Sequence, residues 1–100
     1  MKPIRYHPQV QRDINEAMKY YFENASEFVA AQFWDELSSA LEAIRSTSVS
    51  HHFDPSGLRR LNMNTFPFNI LYEDLNDRVR VQVIRHNARK PEFGTRRKRG

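Results

Sequence analysis

Residues 58–93, LRRLNMNTFPFNILYEDLNDRVRVQVIRHNARKPEF, constrain the fold more than any other stretch. Their character alternates with a period near two, as in strands that lay one face on a core. Phe68, Ile70 and Tyr72 share one face; Asn69, Leu71 and Glu73 share the other. Further on, Val79, Val81 and Val83 alternate against Arg78, Arg80, Gln82, Ile84 and His86. Asn76-Asp77, between these runs, tolerates the positive φ of a tight hairpin. Residues 58–63 make an earlier strand, and Asn64-Thr65 turns the chain toward the strand at 66–73. Pro67 falls near that strand's start, where a lost donor is tolerated. With the last strand at 78–86, the expectation is a three-stranded antiparallel meander with one apolar and one basic face.

The preceding half of the chain supplies the layer that covers the apolar face. Residues 1–6 read as a short strand around Ile4. Pro8 suits the first turn of a helix, which needs no N–H there. Val10, Ile14, Ala17, Met18 and Tyr21 recur at three- and four-residue intervals, an amphipathic helix. Asn24 with Glu27 forms a capping-box pattern, and Ser26 is a competing N-cap for a second helix running to Arg45. That helix carries Ala30, Phe33, Leu37, Ala40, Leu41 and Ile44 on one stripe. So short a connection makes the pair an antiparallel hairpin. Residues 46–57 are polar and aperiodic, with Pro55 and Gly57, and read as a loop.

The fold class is therefore α+β: a short N-terminal strand, an antiparallel helix hairpin and a three-stranded meander, with the helices on one sheet face. One hundred residues make a single domain over 1–100, burying roughly two thirds of the unfolded surface. Residues 94–100, mostly basic, are expected to form a flexible tail.

Composition removes several function classes. The chain has no cysteine, hence no disulfide, no thiolate chemistry and no thiolate zinc site, and the cytoplasm is the expected compartment. No apolar run approaches the roughly 18 to 20 residues of a membrane span. The amino end lacks the apolar segment of a secretory signal. With three glycines there is no phosphate cradle or nucleophile elbow, and Ser46, Ser48 and Ser50 have no nearby base, so no cofactor is expected. The net charge of +4 favours anionic partners.

Four clusters carry candidate chemistry. Arg59 and Arg60 are neighbours in a strand, so only one joins the basic face; a guanidinium fork grips phosphate or carboxylate, and the plain alternative is a solvated strand. His86, Arg89 and Lys90 follow at the end of the last strand. A titratable imidazole beside cations is what phosphodiester cleavage wants, although a strand-end histidine is more often only a hydrogen-bonding group. His51, His52 and Asp54 lack further ligands at converging spacing, so no metal is assigned. The tail from Lys90 to Arg99 offers screened Coulomb attraction to nucleic acid or an acidic protein, or simply solubility. Phe33 and Trp34 are adjacent in the second helix. One faces the core by periodicity, and the other is a boundary aromatic of the kind that anchors partners.

Taken together, Gly57-Leu58-Arg59-Arg60-Leu61, Phe66-Pro67-Phe68-Asn69-Ile70-Leu71-Tyr72 and Val83-Ile84-Arg85-His86-Asn87-Ala88-Arg89-Lys90-Pro91 resemble the RelE/ParE superfamily, the small toxins of type II toxin–antitoxin modules also called plasmid stabilisation proteins. The resemblance spans almost the whole chain. It implies the same strand, hairpin and meander, and a cognate antitoxin as partner, with Phe33, Trp34 and Arg80 as antitoxin contacts. It also implies one of two targets. RelE-like members cleave mRNA on the ribosome; ParE-like members poison DNA gyrase. RelE-like ribonucleases place a basic residue where this chain has Asn69, and a tyrosine near the end where the nearest aromatic is Phe93. His86, Arg89 and the following proline suit the ParE-like pattern, so the resemblance points to gyrase.

Under the ribonuclease alternative, His86, Arg89 and Arg60 are the catalytic set. Under either branch, Arg59, Arg60, Arg80, His86, Arg89 and Lys90 are expected to meet target or nucleic acid. A third reading is an inactive relic that only binds an antitoxin. The assembly is expected to be a homodimer or a toxin–antitoxin hetero-oligomer.

Overall fold

The computed structural model describes residues 2–98. In chain order it contains β1 (Ile4–Tyr6), α1 (Val10–Asn24), α2 (Glu27–Ser46), β2 (Arg59–Asn62), β3 (Phe68–Asp74) and β4 (Val79–His86). This is the expected α+β order.

In α1 the buried set is Val10, Asp13, Ile14 and Ala17, the three- and four-residue spacing of one helix face. The helix stops at Asn24, where Ala25 and Ser26 both donate backbone N–H groups to the Tyr21 carbonyl at 3.0 Å. Ser26, in extended conformation, caps α2 by accepting from the Val29 amide at 3.1 Å. Asn24 instead donates to the Tyr20 carbonyl, so the capping box proposed for it does not form. From α2, Ala30, Phe33, Leu37 and Ile44 are buried. Tyr21, Phe33, Phe66 and Phe68 form an aromatic cluster between the helices and the sheet, edge-on except for the tilted Tyr21–Phe33 pair, with Phe33 and Phe68 ring centres 5.1 Å apart.

The sheet is mixed, in the order β1-β4-β3-β2. β2, β3 and β4 are antiparallel as expected. β1 lies parallel to β4, pairing Ile4 with Val79 and Tyr6 with Val81. The two helices provide the crossover that a parallel pair requires.

A bulge in β4 corrects the expected face assignment. Leu71 pairs with Val83 but Tyr72 pairs with Val81, leaving Gln82 as an extra residue. Val79 and Val81 therefore lie on the helix layer, whereas Val83 crosses to the outer face with Leu58 and Leu71. Ile84 takes the inward position. His86, two residues later, shares the helix side with its strand partner Phe68. The turn after β3 also differs from expectation. It closes with Leu75 donating to the Arg78 carbonyl at 2.9 Å, and no described residue other than glycine has positive φ.

The expected flexible tail is largely packed structure. Residues 91–97 run over the outer face, where Arg85 donates to the Pro91 carbonyl and Gln82 Nε2 to the Arg97 carbonyl at 2.9 Å. Gly94, at φ 76°, lies against Val83. His7 Nδ1 accepts from the Gln9 amide, so its Nε2 carries the proton donated to the Lys98 carbonyl at 2.8 Å. The last two residues of the proposed tail, 99 and 100, lie outside the described residues.

Candidate functional site

The bulge and the C-terminal segment together create a cleft at the far end of β4. His86 closes the strand, with its ring edge-on to Phe68 at 5.0 Å. Its Nδ1 accepts from the Ala88 amide at 2.9 Å, so a neutral ring carries its proton on Nε2. Arg89 lies with its guanidinium carbon 4.4 Å from the Phe93 ring centre. One part of the cleft, about 350 Å³, is lined by Ala17, Tyr20, Phe68, Ile84, His86 and Phe93. A second part, about 510 Å³, adds Arg12, Glu92, Arg96 and Arg97, and both parts share Asp13, Glu16, Arg89 and Phe93.

The other sequence-derived candidates are placed elsewhere. Arg60 pairs with Leu71, hence faces outward on the side opposite His86, and its guanidinium lies 3.4 Å from Asp54. The expected set of His86, Arg89 and Arg60 is therefore not one constellation. Arg59 points to the helix side, donates to the His51 carbonyl at 2.8 Å and lies 4.2 Å from the Phe53 ring centre. Arg80 is buried, against Glu73 at 3.6 Å and Gln82 Oε1. It is not surface available to target or antitoxin. Lys90 is exposed beside the cleft.

Phe33 has no exposed surface and belongs to the core, so its place among the antitoxin contacts is corrected as well. Trp34, the next residue, is 46% exposed. It borders an apolar groove of about 350 Å³ with Tyr6, Pro8, Val10, Ile14 and Leu41.

Sequence reasoning passed over three residues that shape this region. Arg85 is buried on the outer face, 3.3 Å from Asp54. Burial pulls the Asp54 carboxyl upward, but hydrogen bonds from Ser56 and the charge of Arg85 outweigh it and hold the pKa below its ordinary value. Glu16 lies between Arg12 at 3.5 Å and Arg89 at 3.9 Å. Asp13 sits within the apolar stripe of α1, and a carboxylate in that stripe was the one visible signal of its role. It accepts the Ile84 amide at 3.1 Å, on the edge of β4 beyond the reach of β1.

His51 ties its loop to the sheet through Tyr72. Tyr72 donates its hydroxyl to the Ser48 carbonyl at 2.6 Å and accepts from His51 Nδ1 at 2.8 Å. Burial drives the Tyr72 pKa up to about 12. Burial also lowers the His51 pKa, helped by Arg59 and His52. Among the described residues, no group of three or more His, Cys, Asp or Glu side chains is placed to hold a metal ion. No helix among them is long and apolar enough to cross a membrane.

A hairpin of helices laid on one face of a mixed four-stranded sheet is the α+β architecture of the RelE/ParE superfamily. The family model described as ParE toxin of type II toxin-antitoxin system, parDE, matches residues 4–91, and the chain belongs to that family. Among solved structures, a chain of the chromosomal ParDE TA system from P. aeruginosa superposes with a TM-score of 0.76 at 13% identity, over 86% of this chain and 96% of that one. That likeness is one of fold. No curated protein matches.

Proposed function

We propose that the protein is the toxin of a type II pair, that it acts on DNA gyrase, and that a cognate antitoxin silences it. Membership of the ParE toxin family supports the toxin assignment, and the fold likeness to a ParDE chain agrees with it. The observation that carries the choice of target is the separation of Arg60 from His86 across the sheet. Phosphodiester cleavage needs a proton-transfer group and charge stabilisers converging on one phosphate. Here Arg60 is committed to Asp54 on the far face, and Asn69, where a ribonuclease carries a cation, is buried and donates to Asn87 at 2.9 Å. The antitoxin would cover the groove beside Trp34 with an apolar helix, its carboxylates meeting the basic surface.

Two assays on the purified protein test the target: inhibition of gyrase supercoiling, and cleavage of ribosome-bound mRNA. Loss of supercoiling with intact transcripts is expected. Cut transcripts with unimpaired gyrase would overturn the reading. Normal growth of bacteria making abundant folded protein would leave only antitoxin binding.

A further inference from the structure

We infer that the outer face of α2 is where the toxin grips its target, and that a basic protein surface docks there, anchored by Phe28 and paired with Asp35 and Glu42. This rests on the gyrase reading for the partner's name; the face itself follows from the layout of charge and exposed aromatic rings.

The chain carries 16 Lys and Arg residues, yet none falls between Lys19 and Arg45. The same stretch holds Glu23, Glu27, Asp35, Glu36 and Glu42. A protein of net charge +4 therefore has one acidic side, made by the end of α1 and the length of α2. On α2 the buried residues Ala30, Phe33, Leu37 and Ile44 take the core side. Phe28, Asp35 and Glu42, spaced by seven residues and exposed, lie together on the other side, roughly 10 Å from one to the next. Ala31 and Ser39, small and exposed between them, leave room for a partner helix to come close. Phe28 is 71% exposed, the most of any large apolar side chain among the described residues, and meets no other ring there. Phe22, 59% exposed, adds a second aromatic ring near the hairpin's turn. Asp35 forms no ion pair among the described residues, and Glu42 only a loose, exposed one with Arg45 at 3.7 Å, so these groups contribute little to the fold. An exposed aromatic anchor with charges around it is the make-up of a protein interface. The sign of the charge selects the occupant. Nucleic acid and an antitoxin bearing carboxylates are both repelled here, whereas an enzyme that handles DNA displays the basic surface this face would pair with.

The experiment measures binding to immobilised gyrase, inhibition of supercoiling and growth arrest, on variants shown by circular dichroism to be folded. Phe28→Ala should raise the half-inhibiting concentration about tenfold, and the double reversal Asp35→Lys with Glu42→Lys should abolish binding. Asp77→Lys, one such reversal in the exposed turn before β4, should change neither. A loss from Asp77→Lys equal to that of the double reversal would overturn the face, as would full inhibition by the double reversal. So would loss of antitoxin capture in place of gyrase binding, which would put the antitoxin there. A self-association of the wild type that the reversal abolishes would put a second copy there and overturn it as well. The two readings fail separately. Wild-type protein that arrests growth but spares gyrase loses the gyrase target alone; arrest must then vanish in the double reversal, and unchanged arrest would sink the face too. Wild-type protein that blocks gyrase as well without Phe28, Asp35 and Glu42 loses only this face. Wild-type protein that neither blocks gyrase nor arrests growth overturns both.

Discussion

Arg97 donates both terminal nitrogens to the two oxygens of Asp13 at 2.7 Å, joining the C-terminal segment to the first turn of α1. Both side chains are at most one tenth exposed. β1 pairs with β4 only as far as Val81, so the next part of that edge would be left open. Asp13 accepts the Ile84 amide there, and Arg97 donates to the Gln82 carbonyl at 3.3 Å. The ion pair thus closes a strand edge that would otherwise be free to pair with another chain, and it fixes one wall of the cationic cleft.

Arg97→Ala should therefore cost stability out of proportion to its place near the chain end. It leaves a buried carboxylate without its counter-charge, a loss of about 3 kcal/mol. Urea denaturation of Arg97→Ala, Asp13→Asn and the double variant checks this. Strong non-additivity is expected, and independent effects would show that the pair contributes little.

Gly94 holds the same segment down in a different way. Its φ of 76° disfavours any residue with a Cβ, and a Cβ built there would run into the Val83 side chain. Gly94→Ala should lower stability by about 2 kcal/mol, within the range for backbone strain and overpacking. Adding Val83→Ala should return a small part of the loss, since it removes both γ-methyls but leaves Val83 Cβ 2.7 Å from the new methyl. If the double variant is simply the sum of the two, the segment does not lie against Val83 in solution.

How much of this could be read from the chain depended on the range of the interactions. The helix hairpin rests on local periodicity and a serine cap, and the meander on alternation, so both were legible. The bulge was not, although Val83-Ile84 breaks the strict alternation and hints at it. Arg60 and Arg80 read as surface cations, yet their carboxylate partners Asp54 and Glu73 are brought to them only by strand pairing and loop folding. The packed C-terminal segment was missed because its composition is that of a solvated tail. What orders it are contacts from Gln82, Arg85 and Asp13, the last 84 positions away in sequence.

Acid should destabilise the protein through two carboxylates. Asp54 is buried and held by Ser56 and Arg85; Asp74 is partly buried and held by Lys2 and Ser48, and in both the lowering interactions win. A depressed folded-state pKa gives stability that is present above the ordinary value of 3.8 and lost as pH falls through the folded value. Urea midpoints should fall steeply below about pH 4. Asp54→Asn should be weaker at neutral pH and show a shallower acid decline; an unchanged decline would put the proton uptake elsewhere.

Trp34 and Phe33 make the sharpest test of partner binding, because neighbours on one helix are predicted to fail in different ways. Phe33 is enclosed by Tyr21, Phe66 and Phe68, so Phe33→Ala should cost about 3 to 5 kcal/mol and reduce folded protein. Trp34 is nearly half exposed at the groove beside Tyr6, so Trp34→Ala should leave the urea midpoint almost unchanged. If an antitoxin helix fills that groove, truncating its aromatic anchor should weaken capture by about 2 kcal/mol, roughly thirtyfold. As Trp34 is the only tryptophan in the chain, burial beneath a tryptophan-free antitoxin would shift its emission to shorter wavelength. Tight capture with unshifted emission would place the antitoxin on another face.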